Sequence, residues 1–131
     1  MTTINLPLKI ILPRVTKKDR TIMLNLNIYR NLHYIVNNQV KKAFKEQIQH
    51  KLTGLSFNRV QLHYVLYRGS ARMCDVSNIC CMIDKYFCDA MVESGVIEDD
   101  NYNHVPYVTY KFGGIDKENP RCEVYIEELP S

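Results

Sequence analysis

Between Asn31 and Ser94 the apolar residues change their spacing twice, and this change constrains the fold more than any other feature. Leu32, Ile35, Val36, Val40, Ala43, Phe44 and Ile48 recur every three or four positions, which predicts a helix over Asn31–Leu52. Gly54 stands where a helix ends. Val60, Leu62, Tyr64 and Leu66 then alternate, the pattern of a half-buried strand over Val60–Tyr67. Helical spacing returns with Val76, Ile79, Ile83, Tyr86, Phe87, Ala90 and Met91, predicting a second helix over Val76–Ser94 closed by Gly95. The flanks read as strands. Leu6–Leu12, bounded by Pro7 and Pro13, is one; Val105–Phe112 and Cys122–Leu129, joined through Gly113-Gly114 and Pro120, are two more. Pro13–Arg20 is a charged loop and Leu24–Arg30 a polar and aromatic connector. The order β-α-β-α-β-β gives an α+β class: one mixed β-sheet of about four strands covered by two main helices.

The 131 residues form one domain, 1–131, without repeats, low-complexity tracts or a linker. With 46% apolar and 24% charged residues, the composition excludes a disordered chain. The run Leu6–Leu12 is too short to span a membrane, and Lys9 interrupts it. No cleavage features of a signal peptide follow, so an intracellular, cytoplasmic protein is expected. The five cysteines, Cys74, Cys80, Cys81, Cys88 and Cys122, fit no zinc spacing and read as reduced, partly buried thiols. The four histidines are scattered and read as surface or packing residues.

Charge is distributed unevenly along the chain. Through Cys74 there are 13 Lys and Arg against two acids, a net of +11; from Asp75 there are four against 12, a net of −8. The bases crowd the loop (Arg14, Lys17, Lys18, Arg20), follow at Arg30, line the outer face of the first helix (Lys41, Lys42, Lys45), and flank the approach to Asp75 (Arg68, Arg72). Such a half is suited to nucleic-acid phosphates. Tyr29 and Tyr34 can stack on unpaired bases or pack against the core.

The acidic half concentrates its chemistry on the second helix. Asn78, Lys85 and Asp89 share its polar face, with Ser77 and Asp84 on adjoining rows. Asp75 precedes the helix, and Glu98, Asp99 and Asp100 follow Gly95. Mg²⁺ asks for oxygen ligands, usually one or two carboxylates completed by water and substrate phosphate. Each residue also has a structural use: Asp75 or Ser77 as a helix cap, Lys85–Asp89 as an i, i+4 pair, and Asp99-Asp100-Asn101 as a polar turn. A helix from Ser77 to Ser94 is ~25 Å long, whereas Gly95–Asp100 can return at most ~20 Å. Asp84 is therefore an easier reach for Asp100 than Asp75 is.

The run Asp75-x-x-Asn78, Asp84-Lys85, Asp89-Ala90, Gly95, Asp99-Asp100 resembles the RusA-type Holliday junction resolvases. Their signature is Asp-x-Asp-Asn, then Lys-x-x-x-Asp-Ala-Leu on a helix, then Gly-Val/Ile and Asp-Asp. Leu24-Asn-Leu-Asn-Ile-Tyr-Arg-Asn-x-His33 before a lysine-rich helix is similar to phage members. The resemblance implies a small, phage- or prophage-borne, homodimeric endonuclease that takes Mg²⁺ (or Mn²⁺), uses no organic cofactor and cuts branched DNA in a bacterial host. It implies catalytic roles for Asp75, Lys85 and Asp100, metal ligation by Asp75, Asp99 and Asp100, and supporting roles for Asn78 and Asp89. Ser77 replaces the second signature aspartate, and the gap from Asn78 to Lys85 is about one helical turn longer than in the best-known pattern. Asp84 is the carboxylate expected to compensate.

Overall fold

The computed structural model describes residues 1–131. Nine elements follow in order: β1 (Thr2–Leu6), β2 (Lys9–Leu12), β3 (Arg20–Met23), α1 (Leu26–Asn31), α2 (Tyr34–Leu52), β4 (Val60–Arg68), α3 (Val76–Glu93), β5 (Tyr107–Ile115) and β6 (Arg121–Glu128). The class is α+β, with a four-stranded mixed sheet ordered β1-β6-β4-β5 and a separate β2-β3 hairpin. No helix is long and apolar enough to cross a membrane.

β4 is central because its alternation buries one face completely: Val60, Leu62, Tyr64 and Leu66 are all fully enclosed. β6 runs antiparallel to it with Leu62 opposite Ile126, Tyr64 opposite Val124 and Leu66 opposite Cys122. β1 extends the same face with Ile4 and Leu6. The opposite face keeps His63, Glu123, Tyr125 and Glu127 half-exposed, as expected for a sheet covered on one side. β4 and β5 are parallel, which requires a long crossover, and α3 supplies it.

Four local expectations are corrected. Leu6–Leu12 is not one strand: β1 stops at Leu6 because Pro7 has no N–H to donate, and the chain restarts as β2 in the other sheet. The connector Leu24–Arg30 holds the helix α1, whose Asn25 side chain accepts from Ile28 N–H at 2.8 Å. Six residues with none fully buried leave no period to read. α2 begins at Tyr34, not Asn31, with His33 Nδ1 accepting from Ile35 N–H at 3.2 Å. Its first turn projects past the core, so Ile35 is 51% exposed rather than buried, while Val40, Phe44, Ile48 and Leu52 carry the contact. Gly113 and Gly114 lie inside β5, and the turn falls at Asp116–Pro120, held by Asn119 N–H on Asp116 Oδ1 at 3.2 Å.

α3 buries more than its predicted stripe. Cys80, Met82 and Cys88 are buried as well, because the sheet packs on one side of it and α1 and α2 on the other. Gly95, at φ +75°, then turns the chain left-handed and lets Val96 N–H return to Met91 O at 2.9 Å. The chain then runs through Val96 and Ile97, both buried, into the exposed Glu98–Asn101 segment. The cysteines are all free thiols.

Candidate functional site

The acidic side chains of α3 point in two directions. Asp84 faces the sheet. Its Oδ1 accepts the Tyr64 hydroxyl at 2.7 Å and the Cys88 thiol at 3.3 Å; its Oδ2 accepts the Tyr110 hydroxyl at 3.0 Å. Asp84 and Cys88 meet because i and i+4 stack on one helix face. The tyrosines come from the middle of β4 and β5, 20 and 26 residues away in sequence. Burial first, and then the Asp84 and Cys88 groups, push the Tyr64 hydroxyl well up; burial and then Asp84 raise Tyr110. Burial and then Asp84 likewise raise the Cys88 thiol, with a further push from the charge of Asp100. A carboxylate oxygen accepts about two bonds. Asp84 therefore keeps acceptor capacity mainly on Oδ2.

Asp89 faces α2 and pairs with Lys41 at 3.5 Å; Glu93, one turn on, pairs with Lys41 at 3.2 Å and Lys45 at 3.4 Å. No Lys85–Asp89 pair forms: Lys85 is exposed with no carboxylate partner. Lys-before-Asp is the weaker order for an i, i+4 pair, and Lys41 offers Asp89 a better approach. Two of the lysines expected to face DNA thus stand over the acids of α3. The two chain halves are interleaved here and are not segregated into separate surfaces.

Asp100 is exposed and lies beside the second half of α3. Its carboxyl is raised, first by burial, then by the bond and charge of Asp99, and also by the charge of Asp89. Asp99 is engaged in its own turn, accepting Asp100 N–H at 2.8 Å on Oδ1 and the Asn101 amide at 3.0 Å on Oδ2. Asp75 sits at the other end of α3 as its N-cap residue, with no capping bond from its side chain. Fourteen residues separate Asp75 from Asp89, ~21 Å of helix rise. Asp75 and Asp100 are not brought together. Ser77 is exposed in the first turn and Asn78 half-buried beside it. No three His, Cys, Asp or Glu side chains converge into a ready metal cage.

The remaining basic residues are placed as follows. Arg14 Nε donates to Lys18 O at 2.7 Å and braces its loop; Lys17, Lys18 and Arg20 are exposed. Arg30, Lys42 and Arg72 are exposed, and Arg68 is half-buried at the end of β4. Tyr29 is half-buried against the core, whereas Tyr34 is 70% exposed.

The tyrosine partners of Asp84 carry no local sequence signal, since strand-to-helix contacts at such separations leave no pattern. The i, i+4 spacing of Asp84 and Cys88 is the only part of this cluster that the sequence could have signalled. No protein-family model matches the chain, and no curated protein matches it.

Proposed function

We propose that the chain is a Mg²⁺-dependent, structure-selective DNA endonuclease that acts as a homodimer on four-way or branched junctions, in the manner of the RusA-type resolvases it resembles. The observation that carries the reading is the company of Asp100. Burial first, then Asp99 and Asp89, raise its proton affinity, and its charge, like that of Asp84, acts on the Cys88 thiol. Like charges held together favour a bound cation.

Mg²⁺ needs only one or two protein carboxylates, and Asp100 and Asp84, whose charges both act on the Cys88 thiol, are the pair that would hold it. When bound, the ion supplies electrostatic stabilisation of a phosphate oxygen and a more acidic water. The chain's own residues do the rest. Tyr64 and Tyr110 hold the Asp84 carboxylate in one orientation, and Lys41 fixes Asp89. Lys85, exposed and without a carboxylate partner, can meet charge developing on the scissile phosphate. A C2 dimer would present two such sites to the two-fold axis of a junction.

A second reading, a non-catalytic DNA-binding protein, is favoured by Ser77 in place of a signature aspartate and by the distance of Asp75 from Asp100. One experiment separates them: cleavage of a labelled four-way junction in Mg²⁺, beside linear duplex and the Asp100→Asn variant. Paired symmetric nicks by the unaltered chain alone are expected. Tight junction binding with no cutting in Mg²⁺ or Mn²⁺ would favour the second reading. Loss of activity at Asp100 but none at Asp84 would remove Asp84 from the donor set.

A further inference from the structure

Beyond the carboxylates, the molecule has one sizeable cleft, of about 650 Å³. It opens where the β1–β2 turn, the last turns of α2, the end of β4 and the turn before β6 meet. Four cations line it, Lys9, Lys51, Arg68 and Arg121, and no carboxylate does. Arg121 is already balanced: it pairs with Asp116 at 2.9 Å and Glu123 at 3.0 Å, and lies 4.2 Å over the Tyr67 ring. The other three have no carboxylate within ion-pair distance.

Their local bonding leaves them unspent. Lys51 Nζ gives one bond to Asn5 O at 2.9 Å, which leaves two of its donors. Arg68 Nε is shielded from solvent and has no hydrogen-bond partner at all. A shielded guanidinium donor without an acceptor is costly, and native proteins rarely keep one without a use. The hairpin face that carries Lys9 is otherwise apolar where it lines the cleft. Ile11, 54% exposed, and Met23, 43% exposed, form it, with Leu8 beside them.

We infer that this cleft binds the phosphate of a nucleotide unit, held by Arg68, Lys9 and Lys51, with the base lying on Leu8, Ile11 and Met23. The volume is within the range of small-ligand sites. The planar fork of arginine takes two oxygens of one phosphate, and a phosphate monoester brings enough charge and acceptors for the lysines too. A lone carboxylate would leave two of the three cations unmatched. The same chemistry is offered by a free nucleotide, a 5′-phosphorylated chain end and an internal phosphodiester. The inference does not rest on the nuclease reading: a chain that cuts nothing would still bind phosphate here.

The test is titration of the full chain, followed by NMR at the Arg68 Nε–H and the backbone amides of the cleft, with five probes. These are inorganic phosphate, adenosine monophosphate, adenosine, and a dinucleotide with or without its 5′-phosphate. Adenosine monophosphate should bind at least about tenfold tighter than adenosine and shift the Arg68 Nε–H, since a charge-assisted bond is worth about that factor or more. Lys9→Gln and Arg68→Gln should each weaken it by roughly tenfold. Because Lys9 is exposed and carries no internal bond, its variant keeps the test meaningful if Arg68→Gln unfolds. Preference for the phosphorylated dinucleotide would assign a terminal phosphate, and equal binding of both dinucleotides a backbone phosphate. Equal binding of adenosine and its monophosphate, or no response of Arg68 to any probe at millimolar concentration, would overturn the inference.

Discussion

Asp84 should be worth more to the fold than any other acid of the chain, and Asp84→Ala is the perturbation that measures it. Its carboxylate accepts two hydroxyls and a thiol. Tyr64 is fully enclosed, and Asp84 is the one partner of its hydroxyl. A net bond to a charged group contributes about 1.5–3 kcal/mol, and at 2.7 Å the Tyr64 bond is short. The Tyr110 bond, at 3.0 Å from a half-buried ring, belongs at the lower end. Together they put Asp84→Ala at about 3–5 kcal/mol, a large share of the ~5–15 kcal/mol typical of a domain.

Tyr64→Phe, which removes the donor and leaves Asp84 its other partners, should cost only ~1.5–2 kcal/mol. The double variant should then fall short of the sum by about 1.5–3 kcal/mol, the coupling of the pair. Urea melts followed by far-UV circular dichroism give all four stabilities. Additivity within ~0.5 kcal/mol would mean that the bond contributes nothing to folding. Greater stability in Asp84→Ala would show a carboxylate held against the fold's interest, as expected of a site residue.

Gly113 is the extra residue opposite a bulge at Leu66/Tyr67, and a Cβ there would meet Val65 Cγ1 at 2.6 Å and the Tyr67 ring at 2.8 Å. Gly113→Ala should therefore cost ~1–3 kcal/mol by overpacking, and a thermal melt like that of the unaltered chain would contradict the geometry. Glu123 is lowered, first by the Tyr125 hydroxyl at 2.6 Å and then by Arg121. A depressed carboxyl stabilises above its unfolded value and loses that stability as pH falls through its folded value, so Glu123→Gln should cost ~1 kcal/mol at pH ~7 and nothing in acid below both values. A gap between the two proteins that persists in acid would show that packing, not charge, is responsible. Asp99→Asn should bring the Asp100 carboxyl back down towards its ordinary range, because it removes the nearest like charge. Carbon-detected NMR titration reads this directly, and an unmoved Asp100 would place Asp99 elsewhere.

The fold was legible wherever a period repeated. Val60–Tyr67 and Val76–Ser94 match β4 and α3 to within a residue, because both bury a long regular stripe. Legibility failed where a single atom decides. The missing N–H of Pro7 divides the first strand, and the Asn25 side chain starts a helix too short to show a period. The site was legible only in its residue types. Asp84, Asp89 and Asp100 were identifiable as carboxylates on one helix and its return, but their directions were set by Tyr64, Tyr110 and Lys41, which lie far off in sequence.

The contrast of +11 and −8 along the chain becomes something different in space. Lys41 and Lys45 are spent on Asp89 and Glu93, and Arg121 on Asp116 and Glu123. The other cations have no carboxylate partner; among them are those of the loop Pro13–Asp19, Arg72 and Lys85, and the cleft group Lys9, Lys51 and Arg68. Distance then relates cleft and carboxylates. Tyr64 meets Asp84, and Arg68 lies four residues farther along β4, ~13 Å at ~3.3 Å per residue. One nucleic-acid strand held at Arg68 would thus pass the Asp84–Asp100 end a few nucleotides away. If the cleft and the carboxylates both engage nucleic acid as proposed, a strand held at Arg68 would reach the carboxylates from one fixed end, and that end would set the position of any cut.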